Sequence, residues 1–114
     1  LSFGEHELAW SSIKCGPRVH AYMYRGGVTH KEPREHITQK PLTLMVWCLG
    51  FVPEGAVVFD PFAGSGTTLI ACAETGRVAR CIELDPTYCD VIRRRWTRYA
   101  KEHGLDPGTG ALDG

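Results

Sequence analysis

The sequence predicts an α/β domain built around one parallel βαβ unit, and three observations predict it. An apolar run rich in β-branched residues, Ala56–Phe59, precedes a glycine-rich turn. A helical pattern over Thr67–Thr75 follows, and Gly76 stands where a left-handed C-cap belongs. A second apolar run, Val78–Ile82, completes the unit. Because continuous apolar strands are typical of parallel sheets, we expect a sheet covered on both faces.

Turn and capping residues predict the elements on either side of this unit. Two segments, His6–Ser12 and Arg18–Tyr24, flank a Gly-Pro turn and predict an N-terminal β-hairpin. An apolar helix is expected over Leu42–Leu49, after a proline that suits a first helical turn. The last helix is expected over about residues 86–103, with an aspartate as N-cap and a proline in its first turn.

The last helix is predicted to bury one face, because apolar and aromatic residues recur on it at helical spacing. Its arginines are expected mostly on the solvent side, with contact to DNA as the alternative; they are Arg93, Arg94, Arg95 and Arg98. We therefore predict one incomplete domain over residues 1–104 and a flexible tail over residues 105–114.

Composition excludes several classes of protein. Apolar residues make up 43% and charged residues 23% of the 114, and the formal net charge is zero, so DNA binding would require a local basic patch. The longest apolar run, Leu42–Val52, is too short to cross a bilayer, and no membrane partner is predicted. Five cysteines without a Cys-x-x-Cys pair predict buried, reduced thiols of a cytoplasmic protein, and no metal site. Because the chain starts at Leu1, we expect a piece of a longer protein.

The glycine-rich turn indicates a ligand that approaches the backbone closely. Glycines on either side of Ser65 permit dihedrals and contacts that a Cβ would block. A dinucleotide fingerprint requires a third glycine where this sequence has Leu69, and a P-loop requires a lysine where it has Thr67. Pyrophosphate binding is therefore disfavoured.

An acidic residue ends each predicted strand. Asp60 lies beside the glycine turn, and Glu83 follows the second strand at about the separation where α/β nucleotide sites place an acid on ribose hydroxyls. The pair predicts a ligand with a ribose and an amine-bearing or cationic tail. The alternative is that Asp60 stabilises the turn and Glu83 merely faces solvent.

At these residues the sequence resembles a known family. Asp60–Thr68 resembles the S-adenosylmethionine-binding motif of the DNA methyltransferases that modify adenine N6 or cytosine N4. His36–Pro41 resembles their His-Pro-Thr-Gln-Lys-Pro motif, with Ile37 in place of the proline, and Glu83 is similar to their ribose-binding acid. The order of the motifs is similar to the circularly permuted β-type arrangement, and Ala9–Ser12 looks like a segment of phage-type members. The resemblance implies a bacterial or phage-encoded cytoplasmic enzyme.

The resemblance also implies a partial Rossmann-like, S-adenosylmethionine-dependent methyltransferase fold and a role for each matched position. Phe62 and residues 63–66 would wrap the methionine part, Glu83 would bind the ribose, and Leu84 would lie against adenine. Asp60 would orient the amino group, directly or through the turn. The implied reaction is methyl transfer to the exocyclic amine of a flipped base. The implied cofactor-binding residues are Thr38, Gln39, Lys40, Asp60, Phe62, Ala63, Gly64, Ser65, Gly66, Thr67, Glu83 and Leu84.

One part of the family's pattern is missing. No two of the seven prolines are adjacent, so the Pro-Pro-aromatic catalytic motif does not occur and no catalytic residue is assigned. In the permuted order this motif precedes the hairpin, so we expect the C-terminal, cofactor-binding part of a DNA methyltransferase that is inactive by itself. We also expect an exposed sheet edge that pairs with the preceding segment or with a second chain. The alternatives are a non-catalytic S-adenosylmethionine-binding module or subunit, and another small-molecule methyltransferase or α/β nucleotide enzyme.

Overall fold

The computed structural model describes residues 9–14, 16, 18–20 and 40–109. Half of the residues in the two predicted hairpin strands lie outside these residues, and the described half, 9–12 and 18–20, is not in a strand. The described elements are the helices α1 (Leu42–Leu49), α2 (Thr67–Thr75) and α3 (Pro86–Glu102), the strands β1 (Val57–Asp60) and β2 (Val78–Cys81), and a 3₁₀ turn (Pro107–Thr109).

The central βαβ unit is confirmed. β1 and β2 pair in parallel, with Val57 opposite Val78 and Asp60 opposite Cys81. The intervening helix α2 ends at Gly76, whose φ of 71° lies in the left-handed region that glycine adopts without strain. Capping chemistry in the sequence therefore located the crossover helix between the two strands.

The sheet is covered on one face only among the described elements. Val58 and Ala79 pack against a buried cluster that α1 and α2 contribute. On the opposite side, Val57 is 65% exposed, Phe59 61% and Val78 39%; we call these three side chains the open face. The expectation of a doubly covered sheet is wrong for the described residues. The reason is that both helices pack on the same side, and apolar strand composition does not say where a cover comes from.

Helix α3 follows the prediction at both ends. Asp85 is its N-cap, because a side-chain oxygen accepts a hydrogen bond from the Thr87 N–H at 2.8 Å. The helix ends before Gly104, which has a φ of 67°. Trp96 and Ala100 pack with Ile70 of α2 in a second buried cluster, which attaches α3 to the crossover helix.

Arg95 departs from the prediction that the α3 arginines face solvent. Only 6% of the surface of Arg95 is exposed to solvent. Position 95 follows Val91 and Ile92 by four and three residues, so it shares their buried face on the helix. A prediction that sorts residues by charge alone places such a side chain wrongly.

The segment after α3 also differs from a simple tail. Residues Pro107–Thr109 form a 3₁₀ turn, and the Trp96 indole N–H donates a hydrogen bond to the Pro107 carbonyl at 2.9 Å. This contact connects the 3₁₀ turn to helix α3. Residues 110–114 lie outside the described part of the chain, so the boundary at 104 stays a prediction.

Three smaller findings complete the fold. Pro41 is the N-cap of α1 rather than a first-turn residue, because its ψ of 138° is extended. The four described cysteines are free, but Cys48 is exposed, so the expectation of buried thiols is wrong there. No described helix has the length and apolarity needed to span a bilayer.

Candidate functional site

A cleft of about 300 Å³ lies where the two strands end. The carboxyl ends of parallel strands are the usual ligand-binding edge of open α/β sheets. The end of β1 and the turn that follows it supply half of the lining residues, and the segment before α1, the two helices α1 and α2, and one residue after β2 supply the rest. The lining residues are Lys40, Met45, Asp60, Phe62, Ala63, Gly64, Ser65, Thr67, Thr68 and Glu83.

The turn between β1 and α2 depends on its glycines. Gly64 and Gly66 have φ values of 58° and 87°, which side-chain-bearing residues rarely adopt. A Cβ at Gly66 would also meet the Ile92 side chain at 3.2 Å. The Gly66 and Ala63 amides are both bonded within the protein, to the carbonyls of Ala63 at 2.9 Å and Ile82 at 3.0 Å. The turn is therefore packed against α3 and tied to the end of β2.

Both carboxylate oxygens of Asp60 are engaged by the turn itself. Oδ1 accepts from the Phe62 N–H at 2.9 Å, and Oδ2 accepts from the Thr68 hydroxyl at 2.6 Å. This geometry fits the turn-stabilising alternative for Asp60. The residue lines the cleft, but its carboxylate bonds fix the path of the chain from β1 into α2.

Glu83 reaches across to the opposite turn. Its Oε1 accepts from the Gly64 N–H at 2.7 Å, and its Oε2 accepts from the Asp85 N–H at 2.9 Å. The carboxylate thus joins the loop after β1 to the loop after β2, and the solvent-facing alternative is wrong. Each oxygen of an ionised carboxylate has two lone-pair sites, so the group retains capacity to accept from a ligand hydroxyl.

The structure assembles most of the predicted site residues but not all. Gly66 shapes the turn without lining the cleft, and Leu84 lies outside the lining and is 94% exposed. Phe62 lines the cleft with 86% of its surface exposed. Thr38 and Gln39 lie outside the described residues. The remaining eight predicted residues line one cleft: Lys40, Asp60, Phe62, Ala63, Gly64, Ser65, Thr67 and Glu83.

Sequence reasoning missed three residues at the site. Met45 of α1 and Thr68 of α2 line the cleft. Arg95 of α3 donates from Nη1 to the Thr67 hydroxyl at 2.9 Å, the Ser65 hydroxyl at 3.2 Å and the Ser65 carbonyl at 3.3 Å. The helical spacing of Arg95 from buried apolar residues was the one signal that pointed inward.

The described residues offer little other chemistry at this edge. Burial, with smaller contributions from the charge of Asp60 and from Cys72, raises the pKa of the Cys81 thiol to about 11. Cys81 is therefore protonated near neutral pH and is not a nucleophile there. Within residues 40–109 and the described N-terminal positions, no group of three metal-ligating side chains converges.

Comparison with known proteins identifies the family. The family model described as DNA methylase, covering N6 and N4 enzymes, matches residues 11–94. This chain belongs to the DNA methylase family. The matched range includes β1, the glycine turn, β2 and most of α3, so the cleft lies within it.

Curated relatives of this methylase are considerably longer. It is 38% identical over 77 residues to the type II methyltransferase M.HindIII of Haemophilus influenzae, which is 67% of this chain and 25% of that one. It is 40% identical over 73 residues to the putative methylase YubD of Escherichia coli K12, which is 63% of this chain and 30% of that one. The methylase chain thus spans between a quarter and a third of the length of these relatives.

A solved structure shows the same fold. The methylase chain is 36% identical to the protein in the crystal structure of the M1.HpyAVI–SAM complex, with a TM-score of 0.51 over 54% of this chain and 32% of that one. The α/β fold with a small parallel sheet is therefore that of the S-adenosylmethionine-dependent methyltransferases, as predicted.

Proposed function

We propose that this chain is the S-adenosylmethionine-binding part of a DNA methyltransferase that methylates adenine N6 or cytosine N4. One observation carries the proposal: the Glu83 carboxylate is fixed at the cleft by the Gly64 and Asp85 amides. An acid held at the end of the second strand suits the two hydroxyls of a ribose. Membership in the DNA methylase family supplies the substrate class.

The cleft provides a partner for each part of the cofactor. Glu83 accepts from the ribose hydroxyls, Phe62 offers apolar surface to the methionine chain, and Leu84, exposed outside the cleft lining, offers apolar surface to the adenine. Lys40 lines the cleft and supplies a cation for the methionine carboxylate, with Thr38 and Gln39 beside it in sequence. Asp60 holds the turn through its bonds to the Phe62 N–H and the Thr68 hydroxyl, and it orients the amino group of the cofactor directly or through that turn.

S-adenosylmethionine supplies an electrophilic methyl group on a sulfonium when it is bound. The residues of this chain bind and orient the cofactor, and positioning of this kind accounts for much of the rate of a group transfer. No residue of the chain is assigned to hold the target amine, because no Pro-Pro-aromatic segment occurs in the 114 residues. We propose that the base-binding motif precedes this part in a permuted β-type, phage-type enzyme, and that the isolated chain is inactive.

The open face and the sheet edge support a further contact. Val57 and Phe59 present large apolar surfaces beside a two-stranded sheet. Parallel sheets are normally covered on both faces, and unpaired strand edges bind further strands. We propose that the preceding segment of the enzyme or a second chain covers this region, and that the assembled enzyme acts on DNA in the cytoplasm.

A non-catalytic S-adenosylmethionine-binding subunit is the second candidate. The missing Pro-Pro-aromatic segment favours it. The sequence that precedes Leu1 in the parent gene discriminates between the two candidates. A Pro-Pro-aromatic tetrapeptide there supports the enzyme, and a complete reading frame without one supports the subunit.

Calorimetry with S-adenosylmethionine tests the cofactor site. Glu83→Gln keeps the shape of the side chain but removes its charge, and we expect it to weaken binding about tenfold or more, because hydrogen bonds to charged groups contribute about 1.5–3 kcal/mol. Glu54→Gln, an exposed acid outside the cleft lining, is the matched control and should bind like the wild type. A folded wild-type chain that does not bind, or equal binding by the Glu83 variant, would contradict the assignment.

A further inference from the structure

A buried arginine lies directly beneath the proposed cofactor turn. Arg95 is 6% exposed, although arginine is among the residues that are almost never fully buried unless paired. Three of its hydrogen bonds go from Nη1 to oxygen atoms of Ser65 and Thr67. Those two residues are themselves buried, at 3% and 6% exposure, and both line the cleft.

Stabilisation of α2 does not explain this placement. The helix begins at Thr67, and its N-terminus carries the positive end of the helix dipole, where a cation is disfavoured. The Gly66 cap has no side-chain hydrogen bond of its own. Arg95 therefore contributes to the turn through the oxygen atoms it binds and not through the dipole of the helix.

The direction of these bonds determines how the two hydroxyls can act. A guanidinium has donors and no acceptor, so Ser65 Oγ and Thr67 Oγ1 must accept from Arg95. Each hydroxyl hydrogen is consequently directed away from Arg95. A donor chain that starts at a charged group also polarises the next hydroxyl, which makes it a better donor.

We propose that Arg95 is a positioning residue that orients the Ser65 and Thr67 hydroxyls as donors toward the carboxylate end of the cofactor. The inference rests on the proposed function, since it specifies which part of S-adenosylmethionine this side of the turn contacts. It assigns no contact between Arg95 and the ligand. Glu83 binds the adenosine end of the cofactor, as in the proposed function.

A pair of ligands separates positioning from general support of the fold. S-adenosylhomocysteine carries the amino-acid end, and 5′-methylthioadenosine is the same nucleoside thioether without it. In Arg95→Met we expect affinity for S-adenosylhomocysteine to fall about tenfold, the effect of losing a charge-assisted hydrogen bond, with 5′-methylthioadenosine changed less than about twofold. The matched control is Arg94→Met on the exposed face of the same helix, where both affinities should stay unchanged.

Calorimetry on the whole chain gives three distinguishable outcomes. Selective loss of S-adenosylhomocysteine binding supports the inference, and equal loss of both ligands, or no loss, overturns it. A folded wild-type chain that binds neither ligand overturns the proposed function and the inference with it.

Thr67→Val provides the same test without removing a buried cation, and it decides the matter if Arg95→Met does not fold. It deletes one hydroxyl and keeps the side-chain shape, so we expect the same selective loss for the amino-acid end. Unchanged selectivity in a folded Thr67→Val chain overturns the inference. Circular dichroism and thermal unfolding establish that each variant is folded before titration.

Discussion

The carboxyl edge of the sheet and its open face are built from the same two strands but differ in how their groups are satisfied. At the edge, the Asp60 and Glu83 carboxylates each accept two bonds from neighbouring residues. On the open face, Val57 and Phe59 remain more than half exposed. The described residues therefore pair the carboxylates of the ligand-binding edge among themselves, whereas none of the described elements covers the open face.

The two regions differ in how far apart in the sequence the contacting residues lie. The bonds to the two carboxylates connect residues within about 20 positions along the sequence, such as Gly64 and Glu83. Short closures of this kind carry a small entropic cost. No described element covers the open face, and this chain spans 25% and 30% of the two curated relatives named above.

The largest effect is expected on the covered face. Leu49 is 6% exposed and packs in the cluster between α1 and α2, so Leu49→Ala should lower the free energy of unfolding by about 2–5 kcal/mol. Phe59→Thr on the open face is the comparison, and it should change the free energy of unfolding by less than about 0.5 kcal/mol. Urea unfolding monitored by circular dichroism measures both. Similar costs for the two variants would show that the open face is covered in solution.

A smaller effect is expected at the edge. Asp60→Asn keeps one acceptor but replaces the other oxygen by an amide, so one bond to the Phe62 N–H or the Thr68 hydroxyl is lost. We expect a loss of about 1–3 kcal/mol in the free energy of unfolding, as for a hydrogen bond to a charged group.

Asp90→Asn is the control for this edge variant. Asp90 pairs with Arg93 at 3.1 Å on the exposed side of α3, and a surface pair of this kind contributes less than about 1 kcal/mol. If urea unfolding shows equal losses of unfolding free energy for Asp60→Asn and Asp90→Asn, the Asp60 carboxylate does not stabilise the turn more than an exposed ion pair stabilises α3.

The sequence was most informative where structure depends on neighbouring residues. Gly76 and Asp85 act through local backbone dihedrals and hydrogen bonds, so they placed the ends of α2 and α3 correctly. The glycine turn and the two strand-end acids likewise predicted the position of the cleft at the end of the strands. These features need no knowledge of what packs against them.

Features that depend on distant partners could not be predicted in the same way. Alternating exposure along β1 reflects which side α1 and α2 occupy, and composition does not encode that choice. Arg95 carries a charge that argues for solvent, and its acceptors on Ser65 and Thr67 lie 30 and 28 positions away in the sequence. The bond from Thr68 to Asp60 required the turn to bring α2 back beside the end of β1.

Backbone amide NMR during a titration with S-adenosylmethionine tests the central claim most directly. The account predicts that the amide signals of Gly64 and Asp85, which bond the Glu83 carboxylate, shift with saturable binding, whereas those of Val57 and Val78 at the far ends of the strands do not. Shifts concentrated at Val57 and Val78, with Gly64 and Asp85 unchanged, would contradict a cofactor site at the carboxyl edge of the sheet.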